Sequence, residues 1–353
     1  VIDFRYHLVS LISVFLALAV GIVLGAGPLR ENLGDQLAGQ VEQLRTEQEQ
    51  LRSDAEELST KNDQLATFVS ELGPELVAGN LAGKQVAVIT DDGSTRPGIE
   101  RMMTLLGDAG VESPTRIGLQ PALWSPDADG ERAAAVGEIR SIAPAALTAD
   151  PDGELTDAAQ LSGLIPNLLR GGEELPPELR SQLWQVLIDH QLIVIDGHAP
   201  TRVDAVIYTG AAPEELSVET EDEAVATERA QALLASQTHL LTELAGTGLP
   251  AVVSAATPGN DASTGILRTV RGDRAFDALS TTDRLQEPDG PLLSVLALIE
   301  QTRGGSGAYG TTGDAEERLP VLPETRGIEG ALQDQGTGDA GADPQPSDGG
   351  GEG

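Results

Sequence analysis

Any chemistry in this 353-residue chain has to come from a small set of side chains. Asp91-Asp92-Gly93-Ser94 follows an apolar run and precedes an amphipathic one, the place where α/β proteins offer groups to ligands. Paired carboxylates at such a turn suit a divalent cation, or simply a turn in which Asp or Ser caps the next helix. The turn has neither the three glycines of a dinucleotide fingerprint nor the Gly-Lys-Ser/Thr of a phosphate loop, and two adjacent carboxylates oppose phosphate.

The metal ligands in the body of the chain are equally few: His190, His198 and His239, with Met102 and Met103 side by side. They are the copper candidates, because soft copper takes Met, His or Cys. No His-x-His or Met-x-x-Met spacing brings them together, and neighbouring methionines on a helix point to different faces, which fits core packing for at least one. A triad can be drawn from Asp196, His198 and one of many serines, but there is no Gly-x-Ser-x-Gly elbow. We therefore expect no enzymatic activity, and assign no catalytic residue and no cofactor apart from the open question of copper.

Composition excludes more. The chain has no cysteine, which removes disulfides, thiolate nucleophiles, zinc fingers and iron–sulfur ligation together. A net charge of -34 and only 3% aromatic residues argue against nucleic-acid binding, which needs a basic surface and stacking platforms.

The elements that would position these groups begin with a membrane segment. His7 to Ala26 carry no charge over about twenty residues, the length a helix needs to cross a bilayer. A cleaved signal peptide is the rival reading, but its apolar part is shorter and its front more basic. The short front end with Arg5 makes a cytoplasmic amino terminus and an extracytoplasmic body the natural topology for a single-pass cell-membrane protein.

Next come Leu37, Leu44, Leu51, Leu58, Leu65 and Leu72, spaced by seven in a charged segment. The alternate seam positions read Val41, Gln48, Ala55, Asn62 and Val69. So narrow a stripe predicts a coiled coil, and the polar Asn62 at one seam position favours a parallel homodimer in fixed register. An amphipathic helix lying on its own domain is the alternative, and it usually shows a wider apolar face.

Gly73-Pro74 breaks this pattern. From Lys84 strand-like and helix-like runs alternate. Strands are expected at Gln85–Thr90, Gln191–Ile195, Asp204–Tyr208 and Leu249–Ser254, with weaker ones at Ile266–Val270 and Asp277–Thr281. Helices are expected at Pro97–Asp108, Gly130–Ser141, Asp157–Arg170, Pro177–His190, Asp222–Ala245 and Pro291–Arg303. The alternation predicts a doubly wound, Rossmann-like three-layer α/β head. Beyond Gly304 the chain turns to Gly, Asp, Glu, Pro and Ser, the composition of a disordered acidic tail, with one segment, Leu319–Leu322, able to dock. The expected organisation is thus 1–27 amino-terminal end and transmembrane anchor, 28–73 coiled coil, 74–83 linker, 84–303 α/β extracytoplasmic domain and 304–353 tail.

The opening DFRYHLVSLISVFLALAVGIVLGAGPL and the later STTDRLQEPDGPLLSVLALIEQTRGGSGAYG resemble the MctB family of actinobacterial envelope proteins, also called SteB. The resemblance covers roughly Ile2 to Gly310 and carries two functional implications. One is copper transport across, or copper homeostasis at, an outer mycolate membrane. The other is cell separation, in which SteB and a membrane-bound SteA partner regulate peptidoglycan hydrolase activity. A single helix per chain cannot line a pore, and strands interrupted by helices do not make a closed barrel. The reading favoured here is accordingly a non-enzymatic scaffold or regulator, with the copper transport reading as the alternative.

Overall fold

The computed structural model describes residues 4–26, 28–91, 97–150, 153–173, 175–211, 222–256 and 265–322. Asp92, Gly93 and Ser94, the side chain of Leu37 and residues 323–353 of the expected tail lie outside them. The chain divides into two units, 1–64 and 65–353.

The first unit is helical. Helix α1 (Phe4–Ala26) is long and apolar enough to cross a membrane over Phe4–Val23, and none of that window is buried by protein. The Ser13 hydroxyl is satisfied within the helix, donating to the Val9 carbonyl one turn back. Helix α2 (Pro28–Val77) has 50 residues, about 75 Å at 1.5 Å per residue, and its last turns belong to the second unit. Gly39 has no neighbour that a Cβ would meet, and α2 runs through it.

The second unit is a mixed α/β domain on a seven-stranded sheet of order β3-β2-β1-β4-β5-β6-β7. The strands are β1 (Val86–Thr90), β2 (Thr115–Leu119), β3 (Ile193–Ile195), β4 (Ala205–Gly210), β5 (Ala251–Ala255), β6 (Ser280–Thr282) and β7 (Ala308–Tyr309). The helices are α3 (Pro97–Asp108), α4 (Asp129–Ile142), α5 (Asp157–Arg170), α6 (Pro177–Asp189), α7 (Glu223–Thr247), α8 (Ile266–Gly272) and α9 (Gly290–Gln301). All pairings are parallel except β2 with β3. The strand order reverses between β1 and β4, the switch point at which ligands bind in open α/β sheets.

Each central strand is buried on both faces and sends alternate residues to two cores. Ala87, Ile89, Val206, Tyr208 and Val253 face α4 to α8, whereas Val86, Val88, Ile207 and Val252 face α3, α9 and the end of α2. The head thus has three layers.

Several expectations need correction. Ile266–Val270 is helix α8 and not a strand: Ile266, Leu267 and Val270 are all buried, the spacing of one helical face. Asp277–Thr281 reaches the sheet only at its end, where β6 begins at Ser280. The strand expected at Gln191–Ile195 is the short antiparallel β3. Strands β2 and β7 were not expected, since TRIGL carries charge and Ala308–Tyr309 is two residues long. The 74–83 linker is part of the head: α2 continues past Pro74 to Val77, and Val77 and Leu81 are fully buried. Packing against α3 and α9 offsets the backbone bond that Pro74 forfeits. Finally, the tail does not begin at 304, because residues through 322 include β7 and a set of bonds to the body.

Candidate functional site

The expected seam on α2 is exposed in the chain. Leu44, Leu51 and Leu58 are 63%, 69% and 66% exposed, and Val41, Leu65 and Leu72 are also open. Ala55 and Asn62 are exposed on the same helix. Val69 departs from this pattern, being half-buried against the core formed with α3 and α9, as is Leu76. Around it, Leu65, Phe68 and Leu72 remain open.

At the carboxyl edge of the sheet two aspartates are buried. Asp91 follows β1 at the switch point; its Oδ1 accepts from the Tyr208 hydroxyl, and its Oδ2 accepts from the Ala211 N–H and from Gln237 Nε2, both at 2.6 Å. These bonds join β1, β4 and α7. A carboxylate so occupied is a fastener, and of the turn proposed for a cation only this residue is described.

Asp283 follows β6 and anchors the returning chain. Its carboxylate accepts from the N–H groups of Thr311 and Thr312 at 3.0 Å and from the Thr312 hydroxyl at 2.6 Å. Arg271 on α8 completes the arrangement, donating to Thr281 Oγ1 (2.8 Å), Thr312 Oγ1 (2.6 Å), Asp314 Oδ1 (2.9 Å) and the Tyr309 carbonyl (2.9 Å). Burial by itself raises the Asp283 pKa, but the Thr312 and Thr311 donors and the Arg271 charge together hold it below the ordinary carboxylate value. Tyr309 is pushed the other way, well above the usual phenol range, by burial and by its hydroxyl's bond to Glu300.

Beside Arg271 lies a cavity of about 340 Å³ whose polar walls include Asp277, Asp314 and Glu316. Three carboxylates make it a poor phosphate pocket.

The copper candidates are not assembled. Met102 is buried and Met103 half-buried in the core on the α3 and α9 side of the sheet. His190 caps the end of α6 and His239 sits on α7; the buried residues of both helices belong to the opposite core, and His198 and His239 are exposed. The sheet stands between the two groups. His190 instead meets Glu138 at 3.1 Å and Glu131 at 3.6 Å. Among the described residues no group of three or more His, Cys, Asp or Glu is placed to hold a metal ion. The triad drawn from Asp196 and His198 finds Asp196 paired with Arg116 at 2.7 Å.

With a membrane-length helix, an exposed heptad face and a doubly wound head in place, comparison with known families is decisive. The family described as "Copper transport outer membrane protein, MctB" matches residues 1–320. This chain belongs to the MctB family. The match spans α1, α2 and the head as far as residue 320, so it takes in β7 and most of the segment that follows it. Proteins named "Copper transporter MctB" from Mycobacterium bovis (strain ATCC BAA-935 / AF2122/97) and Mycobacterium tuberculosis (strain ATCC 25618 / H37Rv) are each 26% identical to it over 318 residues. The alignment covers 88% of this chain and 96% of each relative.

Sequence reasoning overlooked Arg271 and Asp283. A signal was present: Asp283 interrupts the run STTDRLQ directly after a buried strand, where an isolated carboxylate has to find donors.

Proposed function

We propose that this MctB-family protein is a non-enzymatic, membrane-anchored envelope scaffold that pairs with a second copy of itself through Leu37, Val41, Leu44, Leu51, Ala55, Leu58, Asn62, Leu65 and Leu72. With a SteA-type partner it regulates peptidoglycan hydrolase activity during cell separation, α1 being its cell-membrane anchor and the α/β head lying outside the cytoplasm. The observation that carries the reading is the open leucine face of α2, at 63–69% exposure for Leu44, Leu51 and Leu58. Leucines repeated by seven and left uncovered are a surface for another helix.

The decisive experiment is complementation. A deletion strain should show septation defects that wild type rescues and Leu51→Asp/Leu58→Asp does not. Full rescue by the double variant would overturn the reading.

The second reading is copper transport or copper homeostasis, with an outer mycolate membrane as the alternative location. It is favoured by the family description and by the relatives' names. Against it stand the separated Met and His residues and the lack of charge between His7 and Ala26 on α1. Copper titration by calorimetry on the full chain in detergent separates the two. Saturable binding lost on replacing Met102, Met103, His190, His198 or His239 would favour copper, and no saturable binding would remove it.

A further inference from the structure

Phe68 is out of place for an aromatic residue. Outside α1 the other aromatics, Trp124, Trp184, Tyr208, Phe276 and Tyr309, are at most 3% exposed, whereas Phe68 is 59% exposed. It stands on α2 immediately before Val69, which the regular ladder would place in the seam but which is turned into its own head. On a helical wheel of about 100° per residue, Leu65, Phe68 and Leu72 fall within an arc of about 60°. Val69, Gly73, Leu76 and Val77, the residues packed on the head, fill the next arc of about 100°. The head therefore occupies the side of α2 that a regular seam would use, and the free apolar side is rotated toward Phe68.

We infer that the occupant of this face is a second copy of the chain, parallel and in register, and that the seam leaves the ladder after Leu65 to close on Phe68 against Phe68 of the other copy. The inference rests on the self-pairing proposed above and assigns its geometry. From Val41 to Leu65 seam positions alternate by three and four residues; Leu65, Phe68 and Leu72 then follow at three and four, so that one three-residue step is added. Such an insertion is a stammer, which overwinds a left-handed coiled coil locally. It keeps the pair together where Val69 is no longer available.

Two features of α2 favour another copy over an unrelated helix. In a parallel in-register pair Glu47 lies across from the partner's Arg52, five residues on, an opposite-charge contact made twice by symmetry. In the same register the polar layers Gln48 and Asn62 meet their own counterparts, whereas a shift of one heptad sets Asn62 against Ala55 and leaves amides unpaired. An aromatic ring at the end of such a seam is the type of residue that anchors interfaces.

The chain has no cysteine, so single replacements report cleanly. The full-length protein in detergent micelles, as Leu51→Cys, Phe68→Cys or Val69→Cys, is oxidised with diamide and run without reductant. Leu51→Cys and Phe68→Cys should give covalent dimers, and Val69→Cys should be at least about tenfold slower. Equal or faster cross-linking at Val69, or none at Phe68, overturns the inference while leaving pairing intact. A Leu51→Cys chain that neither cross-links nor sediments as a dimer overturns the self-pairing reading as well. Because Phe68→Cys removes the ring, Phe68→Ala and Val69→Ala are compared by sedimentation. Phe68→Ala should raise the dimer dissociation constant at least about tenfold. Val69→Ala should leave it unchanged and lower the melting temperature of the head. An unchanged constant for Phe68→Ala overturns the inference.

Discussion

Arg271 Nη1 lies 3.3 Å from Asp283 Oδ2, and the two side chains are 4% and 0% exposed. The pair joins α8 to the end of β6, and through Thr311, Thr312 and Asp314 it fastens the chain that returns after β7. A buried pair of this kind carries little net stabilisation over an apolar replacement, but removing one partner strands the other.

Asp283→Ala should therefore destabilise the head by about 3 to 5 kcal/mol, since among the described residues it leaves the buried Arg271 only Asp314 as an ion-pair partner. Urea denaturation followed by circular dichroism measures this. A loss below about 1 kcal/mol would show that the Asp283 carboxylate is not what fastens the returning chain.

Acid should act through the same group. The pKa of Asp283 is lowered in the folded chain, as are those of Asp314 and Asp204: burial raises each, and the surrounding donors and arginines outweigh it. A lowered folded pKa means that the unfolded chain takes up protons first. The stabilisation is therefore complete above the unfolded aspartate value of about 4 and is lost as pH falls through the folded values below it. Melting temperatures measured from pH 6 to pH 2 should fall mainly in that acid range, and Asp283→Asn should flatten the fall.

Glycine substitutions should separate by environment. At Gly290 a Cβ would collide with the Arg284 carbonyl oxygen, so Gly290→Ala should destabilise by about 3 kcal/mol or more. At Gly137 on α4 nothing lies within 4 Å, and Gly137→Ala should stabilise by about 0.5 to 1 kcal/mol. Thermal melts of the two variants check the contrast.

Asn62 governs partner number in the proposed pair. Asn62→Leu should make the coiled coil more resistant to heat while adding trimers or tetramers to the dimer. Analytical ultracentrifugation with circular dichroism melts would reveal a variant that stays strictly dimeric and no more stable, contrary to this expectation.

Some of this architecture is written locally. An uncharged run of membrane length, leucines repeated by seven and the alternation of strand and helix periods are patterns that short stretches carry by themselves, and α1, α2, β1, β4, β5 and the large helices follow them. MctB-family membership was legible as well, from the opening run and from STTDRLQEPDGPLL. Other features depend on what a residue meets far along the chain. Val69 satisfies the heptad spacing, yet α3 and α9 draw it into the head. Ile266–Val270 is apolar enough for a strand, but its burial follows one helical face. Met102 and His190 are plausible copper ligands until the sheet separates them, and Asp283 has meaning only because Arg271, Thr311 and Thr312 arrive from either side of it. Periodicity fixes which way neighbouring side chains point; which distant surface they reach is decided when the layers close, because burial and hydrogen-bond satisfaction are properties of the assembled head.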